Sequence, residues 1–335
     1  MERDNGAMKD SFGRTIRDLR ISVTDRCNYR CPYCMPASQK YNFLPMNRLL
    51  SYDQIETVAR AFVQCGVEKL RITGGEPLLR KNLHELVARL AQIDGVQELA
   101  LTTNAHFLAE QAKDLKDAGL NRITVSLDAL DPEMAARMSG GRCDLPAVLR
   151  GIDAAASQGL PVKLNAVLKK GENDGEIIPL IEYARAHGHI IRFIEFMDVG
   201  NLNSWDMKHV IPSRDLVRIV NETYPCEPVG PNYFGEVASR YRFRDGKGEF
   251  GVISSVTQPF CRSCTRARVS AKGVMYTCLF ASGGHDLKPL LETEDPENRL
   301  AAEIRRIWGA RADRYSEQRF SGQAVEKVEM FEMGG

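Results

Sequence analysis

Five glycines occupy the same place in a recurring unit: Gly66 stands before "VEKLRIT", Gly95 before "VQELALTTN", Gly119 before "LNRITVSLD", Gly159 before "LPVKLNAVL" and Gly188 before "HIIRFIEFM". Each closes a helix-patterned stretch, because a residue without Cβ readily takes the left-handed conformation that ends a helix. A strand-patterned run follows each of them at once. The first of these helices is legible in detail, with Ser51 and Gln54 as a capping-box pair and Ile55, Val58, Ala59, Phe62 and Val63 recurring at helical spacing. Together with "LRISVTD" near the start, this makes six strands alternating with helices. Strand, helix and strand joined by short links predict right-handed crossovers and a parallel sheet. No Gly-rich dinucleotide fingerprint follows the first strand, which argues against a Rossmann arrangement. The expected fold is α/β, a curled and incomplete (βα)6 barrel.

Alternation within the strands separates two faces. Leu70 and Ile72 alternate with Lys69, Arg71 and Thr73; Ile123, Val125 and Leu127 alternate with Arg122, Thr124, Ser126 and Asp128. Arg20 and Ser22 oppose Ile21 and Val23, Thr102 and Asn104 oppose Leu101 and Thr103, and Lys163 and Asn165 oppose Val162 and Leu164. The apolar face receives the helices, so the polar, cationic one looks inward. A closed eight-stranded barrel fills its interior with branched apolar side chains. A lumen carrying Arg20, Arg71 and Lys163 instead suggests a wet cavity for an anion, the alternative being internal pairing with carboxylates such as Asp128 or Glu195. The sixth strand does not reveal its parity, and pattern alone orients neither Arg192 nor Met197.

After Met197 the pattern breaks, a helix capped at Ser213 follows, and "YPCEPVGPNYFG" is too rich in Pro and Gly to continue either element. The expected boundary lies there, dividing a barrel over residues 1–225 from an extension over 226–335. The extension carries short strand-like runs, a second group of cysteines, a helix near 294–309 and a tail ending "EMGG". Lys and Arg total 45 against 44 Asp and Glu in 335 residues, so no global field gathers nucleic acid. The N-terminus lacks an apolar signal core, and no apolar run approaches the roughly 20 residues that span a bilayer. A cytoplasmic protein is expected. In a reducing compartment, clustered thiols serve more often as metal ligands than as disulfides.

Cys27, Cys31 and Cys34 form CxxxCxxC in the loop after the first strand. Three thiolates at this spacing hold three irons of a [4Fe–4S] cluster and leave the fourth iron open, whereas a structural zinc wants a fourth ligand. With Tyr33 beside the last cysteine and "GGEP" (Gly74 to Pro77) after the second strand, the chain resembles radical S-adenosylmethionine enzymes. Cys261, Cys264 and Cys278 form the second group. Taken alone it also fits a zinc site completed by His285. Arg266 and Arg268 beside the thiolates suit an anionic substrate at a second open iron better. Both groups together, and the terminal Gly334 and Gly335, make the chain similar to the GTP 3′,8-cyclase family of molybdenum cofactor biosynthesis over nearly its whole length. Cys65, Cys143 and Cys226 are read as ordinary thiols.

The resemblance implies two [4Fe–4S] clusters and S-adenosyl-L-methionine as cofactors, held by the two cysteine groups. It implies that Tyr33, Gly75, Ser126 and Met197 contact S-adenosylmethionine, and that Arg20, Arg71, Thr102 and Lys163 contact GTP together with Arg266, Ala267 and Arg268. It offers Arg17, Arg266 or Arg268 as the candidates for assisting reduction of the last radical, without saying which of them does so. The reaction implied is conversion of GTP to (8S)-3′,8-cyclo-7,8-dihydroguanosine 5′-triphosphate by abstraction of a ribose hydrogen and attack on guanine C8. Implied partners are a reductant protein such as flavodoxin or ferredoxin, a downstream enzyme forming cyclic pyranopterin, and a second copy of the chain, with neither nucleic acid nor membrane. The Gly-Gly tail is expected to thread into the barrel. A radical peptide maturase and a zinc-knuckle module binding RNA are the rival readings; the first calls for more C-terminal cysteines, the second for a basic surface with interleaved aromatics.

Overall fold

The computed structural model describes residues 8–320 and 326–334. Its first six strands are β1 (Asp18–Ser22), β2 (Lys69–Thr73), β3 (Glu98–Thr103), β4 (Arg122–Ser126), β5 (Val162–Leu168) and β6 (Ile190–Glu195). They lie side by side in chain order, all parallel. On one face Leu19, Ile21, Leu70, Ile72, Ile123, Val125 and Leu164 are sealed into the hydrophobic core. That burial fixes the register, since a slip of one residue would turn every charged side chain into the core.

Helices α1 (Tyr52–Gln64), α2 (Leu83–Ala91), α3 (Leu108–Asp117), α4 (Pro132–Met138), α5 (Leu145–Ser157) and α6 (Ile177–Ala186) connect the strands. The Ser51 and Gln54 capping box closes α1 reciprocally, Ser51 Oγ accepting from the Gln54 amide at 3.1 Å and Gln54 Oε1 from the Ser51 amide at 2.9 Å. Gly66, Gly95, Gly119, Gly159 and Gly188 all have positive φ, as their helix-ending role requires. The next helix, α7 (Ser213–Thr223), corrects one expectation: Ser213 is its first residue and not its cap. Its amide and hydroxyl both donate to Glu195 Oε1, at 3.0 and 2.7 Å, because a buried carboxylate is a stronger acceptor than the hydroxyl's local alternatives.

Residues beyond 226 continue the same sheet at both edges. The antiparallel run β7 (Cys226–Val229), β8 (Ser239–Phe243) and β9 (Glu249–Ile253) adds β9 parallel to β6. Next, β10 (Arg266–Val269) adds parallel to β1, and β11 (Val274–Tyr276) and β12 (His285–Asp286) turn back antiparallel outside it. The sheet has twelve strands in one open order, β12-β11-β10-β1-β2-β3-β4-β5-β6-β9-β8-β7, and is not a closed barrel.

The chain beyond β12 ties the two edges together. Helix α8 (Pro296–Gly309) packs on α1 and buries Trp308, whose indole N–H donates to the Arg14 carbonyl at 3.0 Å. Arg311, just past it, donates to the Cys264 carbonyl on the β10 side at 2.9 Å. Short helices α9 (Tyr315–Gln318) and α10 (Met330–Met333) complete the described chain. Asp198, shortly after β6, receives Arg319 Nε at 2.8 Å and Lys327 Nζ at 2.7 Å, and Arg319 also donates to the Ser255 carbonyl at 3.0 Å. Replacing Asp198 with Ala strands Arg319, whose side chain is only 2% exposed, without its carboxylate. A loss of about 3 kcal/mol in unfolding free energy by denaturant titration is expected.

Candidate active site: two cysteine triads across a cationic cavity

One cavity of about 350 Å³ is lined by all six clustered cysteines. Topology places them at opposite ends of it. Cys27, Cys31 and Cys34 follow the C-terminal end of β1, whereas Cys261 and Cys264 precede the start of β10, which runs parallel to β1 with Arg266 opposite Asp18. Cys278 follows β11, which is antiparallel to β10 and so returns to the same end. The strand length between the ends is about five residues, roughly 16 Å.

The first triad sits on an irregular loop pinned by backbone contacts. Gly75 donates to the Thr24 carbonyl at 2.7 Å and Glu76 to the Arg26 carbonyl at 2.8 Å. A Cβ at Gly75 would lie 2.3 Å from the Arg26 oxygen, so glycine is required for this approach. Buried Glu76 accepts from Thr103 Oγ1 at 2.7 Å and the Asn104 amide at 2.8 Å, and burial raises its carboxyl to about 7. The Tyr33 hydroxyl donates to Asp128 Oδ2 at 2.6 Å, while Asp128 Oδ1 accepts from the Val167 amide at 2.8 Å. Burial raises Asp128 to about 6. Burial also pushes the thiols up, Cys27 to about 11 and Cys31 and Cys34 well above the usual range.

Between the triads the walls are cationic. Arg268, Arg20 and Arg71 stand opposite one another on β10, β1 and β2. Arg71 donates to Thr102 Oγ1 at 3.3 Å and Thr124 Oγ1 at 3.0 Å; Arg192 donates to Asn165 Oδ1 at 2.9 Å. Burial first, then the neighbouring guanidinium groups, lowers Arg20 well below its ordinary value, Arg71 and Arg268 to about 10 and Arg192 to about 9. Lys163 is lowered to about 8 by burial and by Arg122 and Arg192. The carboxylates that pattern offered as partners are engaged elsewhere: Asp128 with Tyr33, and Glu195 with Ser213, Val256 and Thr257. Like charges crowded in a buried space are what an anion would relieve.

At the other end, Arg266 donates to Cys264 Sγ at 3.2 Å. Burial opposes ionisation of Cys264, but Arg266 and Arg311 outweigh it and hold the thiol down at about 6. The Tyr233 ring covers Lys69, with Nζ 3.3 Å from its centroid, at the strand starts. The tail enters from the opposite side. Phe331 meets Tyr41 edge-on with centroids 5.3 Å apart, and the Gly334 carbonyl accepts from Arg268. Gly334 has φ of +79°, and a Cβ there would lie 2.6 Å from Thr73 Cγ2. Gly335 lies outside the described residues.

Most residues singled out in the sequence line this cavity: Arg20, Tyr33, Arg71, Gly75, Thr102, Ser126, Met197, Arg266 and Arg268. Three do not. Arg17 bonds Glu68 at 2.8 Å with its side chain 37% exposed. Ala267 faces the hydrophobic core, and Lys163 stands beside Arg122 and Arg192 without lining the cavity. Sequence reasoning missed Arg14, Glu76, Arg192, Tyr233 and Arg311 as lining residues, and Cys143 lines the cavity too. For Arg192 the signal was hidden because isoleucines occupy both faces of β6; for Glu76 it lay in "GGEP" itself.

The donor chemistry suits iron–sulfur clusters. Among the described residues no three His, Cys, Asp or Glu side chains are grouped to hold a single metal ion. His285 is exposed on β12 and does not line the cavity.

Two family models match successive segments of the chain. Residues 21–184 match the family model of the Radical SAM superfamily, and residues 189–317 match that of Molybdenum Cofactor Synthesis C. A solved structure of Streptococcus suis SuiB bound to S-adenosylmethionine shares the fold, with a TM-score of 0.59 at 17% identity over 87% of this chain and 68% of that one. A GTP 3′,8-cyclase of Xanthomonas campestris pv. campestris is 53% identical over 98% of this chain and 97% of its own length. One of Acidothermus cellulolyticus is 52% identical over 93% and 88%. The chain belongs to the GTP 3′,8-cyclase family, within the radical S-adenosylmethionine enzymes.

Lys163 in contact with a bound anion would make the binding pH-dependent. A lysine with its pKa at about 8 is mostly charged at about pH 7 and mostly neutral at about pH 9. Affinity for inorganic tripolyphosphate, measured by calorimetry, should therefore fall as pH rises through that window. Lys163→Met should bind more weakly at the lower pH and lose the dependence.

Proposed function

We infer that this chain converts GTP to (8S)-3′,8-cyclo-7,8-dihydroguanosine 5′-triphosphate by radical chemistry, the first step of molybdenum cofactor biosynthesis. The observation that carries this reading is the placement of two cysteine triads at opposite ends of one cavity whose wall sets Arg268, Arg20 and Arg71 side by side. When bound, a [4Fe–4S] cluster at Cys27, Cys31 and Cys34 together with S-adenosylmethionine supplies a primary alkyl radical that removes a ribose hydrogen. Everything else falls to positioning and exclusion.

On this reading Tyr33, Gly75, Ser126 and Met197 hold S-adenosylmethionine at the β-strand ends. Half-buried Arg20, Arg71 and Arg266 and buried Arg268, with Thr102, hold the triphosphate, since guanidinium groups fix both the place and the angle of phosphate oxygens; Lys163, behind the cavity wall, would have to turn inward to join them. Cys261, Cys264 and Cys278 hold a second [4Fe–4S] cluster toward the guanine end. Arg266 and Arg268 support reduction of the final radical; Arg17, bonded to Glu68, would have to turn inward to join them. Arg268 already meets the Gly334 carbonyl, which supports a role for the tail in aligning that guanidinium. The reading also calls for a flavodoxin or ferredoxin as reductant, a downstream enzyme forming cyclic pyranopterin, and a homodimer in the cytoplasm; no helix among the described residues is long and apolar enough to cross a membrane.

Anaerobic incubation of reconstituted protein with S-adenosylmethionine, dithionite and GTP, followed by mass spectrometry, tests the reaction. Iron and sulfide of about eight each per chain are expected for two clusters. Cys31→Ala should abolish deoxyadenosine formation, whereas Cys278→Ala should retain some cleavage of S-adenosylmethionine without cyclised nucleotide. Wild-type product from Cys278→Ala would sink the assignment of the second triad.

A chain lacking Gly334 and Gly335 should keep both clusters and GTP binding but lose most cyclised product. An unchanged rate in that truncated chain would remove the tail from the site.

A further inference from the structure

The two triads sit in opposite electrostatic surroundings. Around the second stand four guanidinium groups. Arg266 donates to Cys264 Sγ at 3.2 Å, Arg311 to the Cys264 carbonyl at 2.9 Å and Arg14 to the Cys261 carbonyl at 2.9 Å. Arg268 lies close enough to feel the charges of Cys264 and Cys278. Three carboxylates face them: Asp10, shared by Arg14 at 2.6 Å and Arg311 at 3.6 Å; Asp313, 3.1 Å from Arg311; and Asp18, opposite Arg266 in the sheet, so the guanidinium groups still outnumber the carboxylates. Arg14 is 1% exposed and Arg311 4%, so water and salt screen them little. At the first triad the signs reverse. Glu76 and Asp128 are buried within reach of Cys27 and Cys31, and Glu329 acts on Cys34. The cations set against them are Arg30, which donates to the Cys27 carbonyl at 2.9 Å, and the exposed Arg142, which donates to the Asn28 carbonyl at 3.4 Å.

We infer that the centre at Cys261, Cys264 and Cys278 has the higher reduction potential of the two, so that the first electron supplied to the protein resides there. The inference rests on the reading that each triad binds a [4Fe–4S] cluster. Reducing either centre takes one electron from an external one-electron reductant and makes or breaks no bond. Surrounding positive charge and hydrogen bonds to sulfur favour the added electron, and surrounding negative charge opposes it. The centre beside Glu76 and Asp128 is accordingly the harder to reduce, and an electron placed there is the stronger reductant. That suits the end of the cavity where S-adenosylmethionine is to be cleaved.

The test is an anaerobic potentiometric titration of the protein carrying both clusters, followed by electron paramagnetic resonance without S-adenosylmethionine or GTP. Cys31→Ala and Cys278→Ala assign the signals. The expected midpoint of the second centre lies above that of the first by at least a tenfold preference, about 59 mV for one electron. Arg266→Gln should lower the second midpoint and leave the first unmoved. Coincident or reversed midpoints in the unaltered protein overturn the inference, whether or not the variant folds, and so does a second midpoint insensitive to Arg266→Gln. A titration with only one iron–sulfur signal overturns the underlying reading as well, and is recognised because a centre is missing and not merely reordered.

Discussion

The in-register pairing of β10 with β1 is the constraint on which the site depends. It sets Arg268 opposite Arg20, which is itself opposite Arg71 on β2, and so builds a row of three guanidinium groups inside the sheet's curve. Such a row opposes folding, because each charge is desolvated and repelled by the next. It persists because the ladder hydrogen bonds and the apolar layer on the opposite face, from Ile16 to Trp308, determine the backbone independently of the row. The repulsion is one that a bound anion would relieve, in a geometry that would need little reorganisation to receive it.

The first triad shows how an irregular loop is held without secondary structure of its own. Gly75 approaches it from the β2 end, and Gly140 from the end of α4, where an added Cβ would fall 2.3 Å from the Arg30 oxygen. Arg30 in turn donates its amide to the Ser139 carbonyl at 2.9 Å and lies over the rings of Tyr41 and Phe43. Backbone contact on two sides, with aromatic faces on a third, leaves the cysteines a defined place although no ladder or helix passes through them.

Much of this was legible in the sequence, and for local reasons. Helix-ending glycines and alternating strands are short-range patterns, so the six parallel strands and their polar face could be read directly, and the spacing of Cys27, Cys31 and Cys34 carried its own chemistry. The parts that were not legible depend on contacts between distant segments. Nothing near Arg14 or Arg311 distinguishes them from surface arginines; they become buried because both reach Asp10 and the backbone of the second triad. The four-residue β10 offers too short a pattern to show that it pairs with β1, and Ser213 has the form of a helix cap until Glu195 is brought beneath it. Arg192 needed the register with Asn165 to reveal its side.

The contact of Arg14 with the Cys261 carbonyl joins residues 247 apart, and this has a meaning for synthesis on the ribosome. A growing chain that has reached the end of β6 already carries the first triad, the "GGEP" turn and most of the lumen. It still lacks β10, Arg266, Arg268 and the glycine that meets Arg268. Contacts of such high sequence separation form late and pay their loop-closure entropy last. The segments that confine a reactive species are thus the last to be made, and the order of translation withholds a complete reaction chamber from every unfinished copy.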